Sequence, residues 1–106
     1  MLKAVKESLF GGELPTPPPP LPDRIKTFVK ELRRREREME RDIRENEALQ
    51  TKFKVEARKL IASGKEAEAR VVIKNITRLE KANTRLNGFK ATFHSLTMQL
   101  DEMTRA

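Results

Sequence analysis

His94 is the only histidine of the chain, and it sits beside Phe93 on a predicted helix with no partner set for catalysis. Glu36, Glu38 and Glu40 could supply acid–base chemistry, but they alternate with arginines, and solvated i,i+3 and i,i+4 ion pairs account for that pattern. The sequence has no glycine-rich phosphate loop, no HExxH pair and no nucleophile–base–orienter set. We therefore expect no enzymatic activity, no cofactor and no metal site.

Basic residues offer a different chemistry, which is attraction to an anionic surface. In the second half of the chain they recur at steps of three and four, and only Glu80 interrupts their span. This predicted membrane-facing set is Arg70, Lys74, Arg78, Lys81 and Arg85. Near an anionic lipid surface each such residue contributes about 1 kcal/mol. A similar set in the first half is mixed with acids, which favours an ordinary solvated face there: Lys30, Arg34, Arg37, Arg41 and Arg44.

The N-terminal residues 1–12 are predicted to form a short amphipathic membrane-insertion segment. Leu2, Val5 and Leu9 fall on one side of a helix, Lys3 and Lys6 flank them, and Phe10 follows. An apolar side of this kind can enter a bilayer interface while lysines meet the headgroups. A disordered tail, or a cap packed on a neighbour, remains an open alternative.

A proline-rich linker, residues 13–23, follows this segment. Proline fixes φ and lacks an N–H donor, so the stretch must be stiff and extended. Its Pro-Pro-Leu-Pro string is of the kind that SH3- or WW-type domains accept, although a simple spacer is the favoured interpretation.

The proline-free remainder, residues 24–106, is predicted to be all-α: a long antiparallel two-helix coiled-coil hairpin. Helix 1 is expected over 24–62 with Asp23 as N-cap, and helix 2 over 65–105, joined by a turn at Ser63 and Gly64. On helix 1 steps of three and four run through Glu36, Asn46 and Gln50 and eight apolar residues: Ile25, Val29, Leu32, Met39, Ile43, Phe53, Ala57 and Leu60. On helix 2 the predicted interface is Val72, Ile76, Leu79, Ala82, Leu86, Phe89, Phe93, Leu96, Leu100 and Met103.

Among the apolar residues outside both predicted interfaces are Leu49, Val55, Ile61, Val71 and Ile73. We interpret them as a self-assembly surface, with a missing third helix of the same chain as the alternative. An isolated two-helix hairpin is expected to be only marginally stable, because chain entropy nearly cancels the burial of one thin apolar interface.

Composition bounds the location and the partners. The 106 residues carry 23 Lys and Arg against 16 Asp and Glu, a net charge of +7, which suits nucleic acid, anionic lipid or an acidic protein segment. The chain has no cysteine, no apolar run approaching the ~18 residues of a membrane span, and no signal-peptide region. We expect a cytoplasmic protein that is peripheral on membranes.

These residues together resemble the ESCRT-III family, the charged multivesicular body proteins. The resemblance lies in Leu9-Phe10-Gly11, a proline segment, a long arginine-rich helix, and a turn in which Gly64 precedes Lys65, Ala67, Ala69 and Arg70. It implies cytosolic subunits that polymerise with themselves and related subunits on endosomal or other membranes and drive budding and scission. The N-terminal motif would insert in lipid and the second-helix basic residues would face it; the second-and-third-subunit branch looks most similar.

Two departures from that family matter. The proline tract is longer than expected, and the chain ends at Ala106, before the acidic regulatory tail and the ATPase-recruiting motif that family members carry. Either the sequence is truncated or its control differs, and without the tail we expect constitutive assembly.

Two other functions remain open. One is a nucleic-acid-binding hairpin, which is disfavoured because the chain lacks Tyr and Trp and all five phenylalanines are expected in the N-terminal motif or the helix interfaces. The other is a plain coiled-coil adaptor in which the basic residues have no role.

Overall fold

The computed structural model describes residues 17–105, and within them it confirms the all-α hairpin. Helix α1 spans Leu21–Ala62 and helix α2 spans Glu66–Arg105, with no strand in the described part. The helices are antiparallel, because Asn46 meets Asn83 and Glu40 meets Lys90. The predicted insertion segment, residues 1–12, lies outside the described residues.

Helix α1 begins earlier than predicted. Its first residue is Leu21 and its N-cap is Pro20, so the linker ends at residue 20 instead of 23, and Asp23 lies in the first turn rather than at the cap. The carbonyl of Pro20 accepts hydrogen bonds from the N–H groups of Asp23 and Arg24, at 3.0 and 3.1 Å. Pro22 fits there because the first N–H groups of a helix have no intrahelical partner to lose. From the first turn, the negative charge of the Asp23 carboxylate still interacts favourably with the positive end of the helix dipole.

The turn between the helices is a Schellman motif. Gly64 has φ +76°, the N–H of Lys65 donates to the Leu60 carbonyl at 2.8 Å, and the N–H of Gly64 donates to the Ile61 carbonyl at 3.0 Å. The structure thus places the turn at Ser63 and Gly64. Helix α2 starts at Glu66, one residue later than predicted, because Lys65 still belongs to this motif.

Two glycine substitutions should have opposite effects on stability. Replacing Gly64 with alanine is expected to lower the free energy of unfolding by about 1 kcal/mol, because an L side chain disfavours positive φ. Replacing Gly88, inside α2, with alanine should raise it by about 1 kcal/mol through helix propensity. A Cβ atom at either position meets nothing within 4 Å, so new packing contacts do not contribute to the change in unfolding free energy of either variant. Urea unfolding followed by circular dichroism measures both, and shifts of the same sign would contradict this account.

The α1 side of the helix interface agrees with the sequence. All eleven predicted positions, from Ile25 to Leu60 in alternating steps of four and three, are buried or half-buried. Val29 and Leu32 are each only 4% exposed. No large side chain of residues 17–105 is completely enclosed, as expected for an interface one side chain deep.

The α2 side differs from the prediction. Phe89 and Met103 are 56% and 62% exposed, so the prediction that both lie in the interface is wrong. Strict heptad spacing from Ala69 instead turns four polar positions toward α1: Asn83, Lys90, Thr97 and Thr104. The most hydrophobic series of positions contains two successive steps of three, from Ile76 through Leu79 to Ala82, and beyond them it runs one residue away from the positions that face α1.

The polar residues in the interface are satisfied locally. The Asn46 side-chain amide donates to Asn83 Oδ1 at 2.8 Å, and the Asn83 amide donates to the Ile43 carbonyl at 3.4 Å. The hydroxyl of Thr97 donates to the carbonyl of Phe93 at 2.8 Å. A single paired amide inside an apolar interface favours one register over its neighbours, because any shift leaves both amides without partners.

Candidate membrane-binding and assembly surfaces

The outer face of α2, the side turned away from α1, carries the five predicted basic residues. Steps of four, four, three and four keep them on one side of the helix, and all five are exposed: Arg70, Lys74, Arg78, Lys81 and Arg85. Within residues 17–105 none of them takes part in an ion pair. Glu80 follows Ile73 by seven residues, on the flank next to the interface, so it lies off this face. Five uncompensated cations therefore share one surface of a rigid rod.

The basic residues of α1 are in a different electrostatic setting. Arg34 forms ion pairs with Glu31 and with Glu38, the latter at 3.6 Å, and Arg35 contacts Glu31 at 3.4 Å. The hydrogen bond from Arg34, with the nearby charges of Arg34 and Arg35, lowers the pKa of Glu31 despite some desolvation. Glu31 therefore stays ionised further into the acid range and keeps neutralising this side of α1. The ordinary solvated face expected for α1 fits these contacts.

The single histidine lies in a cleft of about 270 Å³ between the helices. His94 Nδ1 is 3.7 Å from a carboxylate oxygen of Glu36, whose other oxygen, Oε1, is buried without a hydrogen-bond partner. The one hydroxyl lining the cleft, that of Thr97, already donates to the backbone. In the described range no three His, Cys, Asp or Glu side chains are placed to hold a metal ion. Polar side chains of both helices line the cleft, and Arg33 and Asp101 form an interhelical ion pair there at 2.7 Å.

The predicted self-assembly residues are all exposed, between 40% and 59%, but they do not form one surface. Ile61 and Ile73 line one hollow next to the turn, together with Ala69. Leu49 lies on the opposite flank of the hairpin, while Val55 and Val71 point away from the partner helix. The structure thus brings two of the five together, and their role in assembly stays a prediction.

Sequence reasoning missed a larger apolar surface. On one flank of the hairpin Arg33 pairs with Asp101 at 2.7 Å, and Ile61 and Ile73 line the same hollow. Heptad spacing puts another set of residues on the opposite flank, which we call the apolar flank: Leu21, Phe28 and Leu49 of α1, and Phe89, Leu96 and Met103 of α2. Its signal in the sequence is the seven-residue recurrence of large apolar residues one position away from the interface.

Two phenylalanines on this flank correct the argument against nucleic acid. Phe28 and Phe89 are 49% and 56% exposed, so they do not belong to the helix interface. They nevertheless lie off the outer basic face of α2, so the basic residues and the exposed aromatic rings are not interleaved on one surface.

The described part of the proline tract, residues 17–20, is exposed and irregular, and Pro20 has φ −51° and ψ 148°, close to polyproline II. The Pro-Pro-Leu-Pro string does not continue in that conformation, because its last two residues, Leu21 and Pro22, already belong to α1. Neither α1 nor α2 carries an apolar stretch long enough to cross a bilayer.

An elongated helical hairpin with a basic outer face and an apolar flank is typical of structural proteins that bind other molecules along extended surfaces. Comparison with family models then matches residues 28–106 to Snf7. The chain belongs to the Snf7 family, the ESCRT-III proteins, and this confirms the resemblance drawn from the sequence. The more specific subunit branch stays a prediction.

No curated protein and no solved structure gave a match to the chain. The family is a structural, non-enzymatic one whose members are cytosolic, lie peripherally on membranes and polymerise with other ESCRT-III subunits.

Proposed function

We propose that this chain is a filament subunit that polymerises with itself and with other ESCRT-III subunits on anionic membranes and remodels or severs them. It works in the cytoplasm, peripherally on endosomal or other membranes. The observation that carries the proposal is the outer face of α2, where five exposed basic residues lie without acidic partners among the described residues.

This face suits a membrane because it is straight and rigid. From Arg70 to Arg85 the helix advances about 22 Å at ~1.5 Å per residue, so the five cations can meet a flat anionic surface together. At about 1 kcal/mol for each residue, one copy binds modestly. Many copies on one filament bind strongly, because each bound subunit raises the effective concentration of the next at the surface.

The N-terminal segment adds apolar insertion to this attraction. Leu2, Val5, Leu9 and Phe10 enter the bilayer interface while Lys3 and Lys6 remain at the headgroups. The proline tract acts as a spacer between this segment and the hairpin, because Leu21 and Pro22 of its Pro-Pro-Leu-Pro string belong to α1 and are not extended as an SH3- or WW-type domain requires.

Cosedimentation with vesicles tests the proposal. The wild type should pellet with phosphatidylserine-containing vesicles, pellet poorly with neutral phosphatidylcholine vesicles, and keep binding in the presence of an RNA competitor. Replacing Leu2, Val5 and Phe10 with aspartate should weaken binding by about tenfold or more, because charged residues replace those that enter the interface.

The matched control places the same three charges away from the apolar side of the predicted N-terminal helix, by replacing Ala4, Ser8 and Gly11 with aspartate. This variant should bind at least threefold (about half a decade) more tightly than the first. Binding that ignores lipid charge would overturn the role of the basic outer face. RNA that displaces the protein completely from acidic vesicles would favour the nucleic-acid function. Equal losses in the two variants would remove apolar insertion from the proposal.

A further inference from the structure

The distal half of α2 has an apolar stripe that α1 covers only in part. Six large apolar residues follow one another in steps of three and four: Leu86, Phe89, Phe93, Leu96, Leu100 and Met103. Leu86, Phe93 and Leu100 also belong to the interface with α1, whereas Phe89 and Met103 are largely exposed. The apolar side of α2 is therefore rotated away from α1, toward a helix that is not part of this hairpin.

The surface around this stripe is also unusual for the chain because it is nearly free of charge. From Leu86 to Leu100 the only Lys, Arg, Asp or Glu is Lys90, although such residues make up 37% of the chain. Lys90 lies 3.9 Å from Glu40 of α1, so its charge is engaged within the hairpin. A shallow hollow on the solvent side is lined by Ala91, Thr92, Ser95, Leu96 and Gln99. Depletion of charge beside exposed large apolar residues is the composition of an interface core.

We propose that this stripe is where α2 packs against α2 of a second copy. Two copies of a chain with net charge +7 repel each other, and the uncharged stretch is where they can approach at the lowest electrostatic cost. Two such stripes can pack on each other because both repeat every 3.5 residues, as helices in a coiled coil do. The two copies then contact each other through the same surface, related by a two-fold axis. This contact rests on the proposed function, since it specifies one of the interfaces through which the filament subunit would assemble.

Charge complementarity sets the direction of the pairing. Arg78, Lys81 and Arg85 precede the stripe, while Glu102 lies at its far end and makes no ion pair within residues 17–105. Antiparallel packing brings Glu102 of one copy toward the basic end of the other, whereas parallel packing places like charges side by side. On α1 the neighbouring flank is broken by Arg35 and Asp42, so α2 supplies the continuous part of the contact.

Cysteine cross-linking of the full chain tests the contact, because the native sequence contains no cysteine. Thr92 lies beside the middle of the stripe. In lipid-free solution a short bis-maleimide should therefore cross-link Thr92→Cys to the same residue of a second copy. Thr84→Cys is the control. Both threonines are exposed on α2 and donate to the backbone carbonyl four residues earlier, but Thr84 lies outside the stripe on another side of the helix. Gln99→Cys, away from the two-fold axis, should cross-link with itself only if the helices are parallel.

A charge introduced into the stripe tests the same contact by affinity. Phe89→Glu should weaken dimer formation about 30-fold or more in sedimentation equilibrium, because each dimer loses two buried aromatic rings. Met98→Glu is matched to it, since Met98 is 54% exposed on the same helix but points to another side. Circular dichroism of both variants establishes that the hairpin remains folded.

Two results would overturn the contact: no cross-link through Thr92→Cys above that of Thr84→Cys, or equal weakening by Phe89→Glu and Met98→Glu. Either result leaves membrane binding by the outer face untouched, because these measurements contain no lipid. Conversely, a wild type that forms the cross-link but ignores acidic vesicles would remove the proposed function and leave the α2–α2 contact standing.

Discussion

Replacing the basic residues of the outer face of α2 with glutamine should weaken binding to phosphatidylserine-containing vesicles by at least about a hundredfold. The five substitutions are Arg70→Gln, Lys74→Gln, Arg78→Gln, Lys81→Gln and Arg85→Gln. At about 1 kcal/mol per residue, and with tenfold in affinity per ~1.4 kcal/mol, five losses exceed two decades even if they overlap considerably. Vesicle cosedimentation at fixed lipid composition measures the change, and the remaining binding should depend less steeply on salt.

The matched control removes five charges from α1 instead, by replacing Lys30, Arg34, Arg37, Arg41 and Arg44 with glutamine. We expect a loss of less than about tenfold, because acids lie among these residues and Arg34 is held by Glu31 and Glu38. The two variants have the same net charge, so a difference between them reports position. Equal losses would mean that net charge, and not the α2 face, determines membrane binding.

Replacing Leu32 with alanine should unfold a large fraction of the protein in lipid-free solution. Leu32 is 4% exposed on the α1 side of the interface, and truncation of a buried leucine costs about 2–5 kcal/mol. A hairpin of two helices with one thin interface has little stability beyond that amount. Loss of the helical circular dichroism signal near room temperature, or a large drop in the urea midpoint, is the expected result.

Leu49→Ala is the control on the same helix. Leu49 is 40% exposed on the apolar flank, so its truncation should change the free energy of unfolding by less than about 1 kcal/mol at protein concentrations that keep the chain monomeric. A Leu32→Ala variant as stable as Leu49→Ala would show that the interface contributes little and that assembly, instead of the hairpin, holds the helices together.

Several features of the molecule could be predicted from local sequence because they have local causes. The Schellman turn needs only Gly64, which adopts positive φ without a steric cost. The α1 interface could be predicted to the residue, because Val29, Leu32 and Ile43 leave only one heptad register. The outer basic face followed from the same periodicity. The start of α1 could not be predicted as well, because a proline in the first turn neither adds nor removes an intrahelical bond.

The α2 interface and the apolar flank depended on tertiary structure. Along the distal half of α2 two stripes one residue apart satisfy helical spacing, and hydrophobicity alone favours the one containing Phe89 and Met103. Pairing with α1 selects the other stripe, because Asn83 must meet Asn46 and Lys90 must reach Glu40 once the turn has fixed the register. The sequence by itself determined two long helices, their turn and their charged side. Only the packing of one helix on the other decided which apolar residues are covered and which remain exposed, since burial belongs to the pair of helices and not to either one.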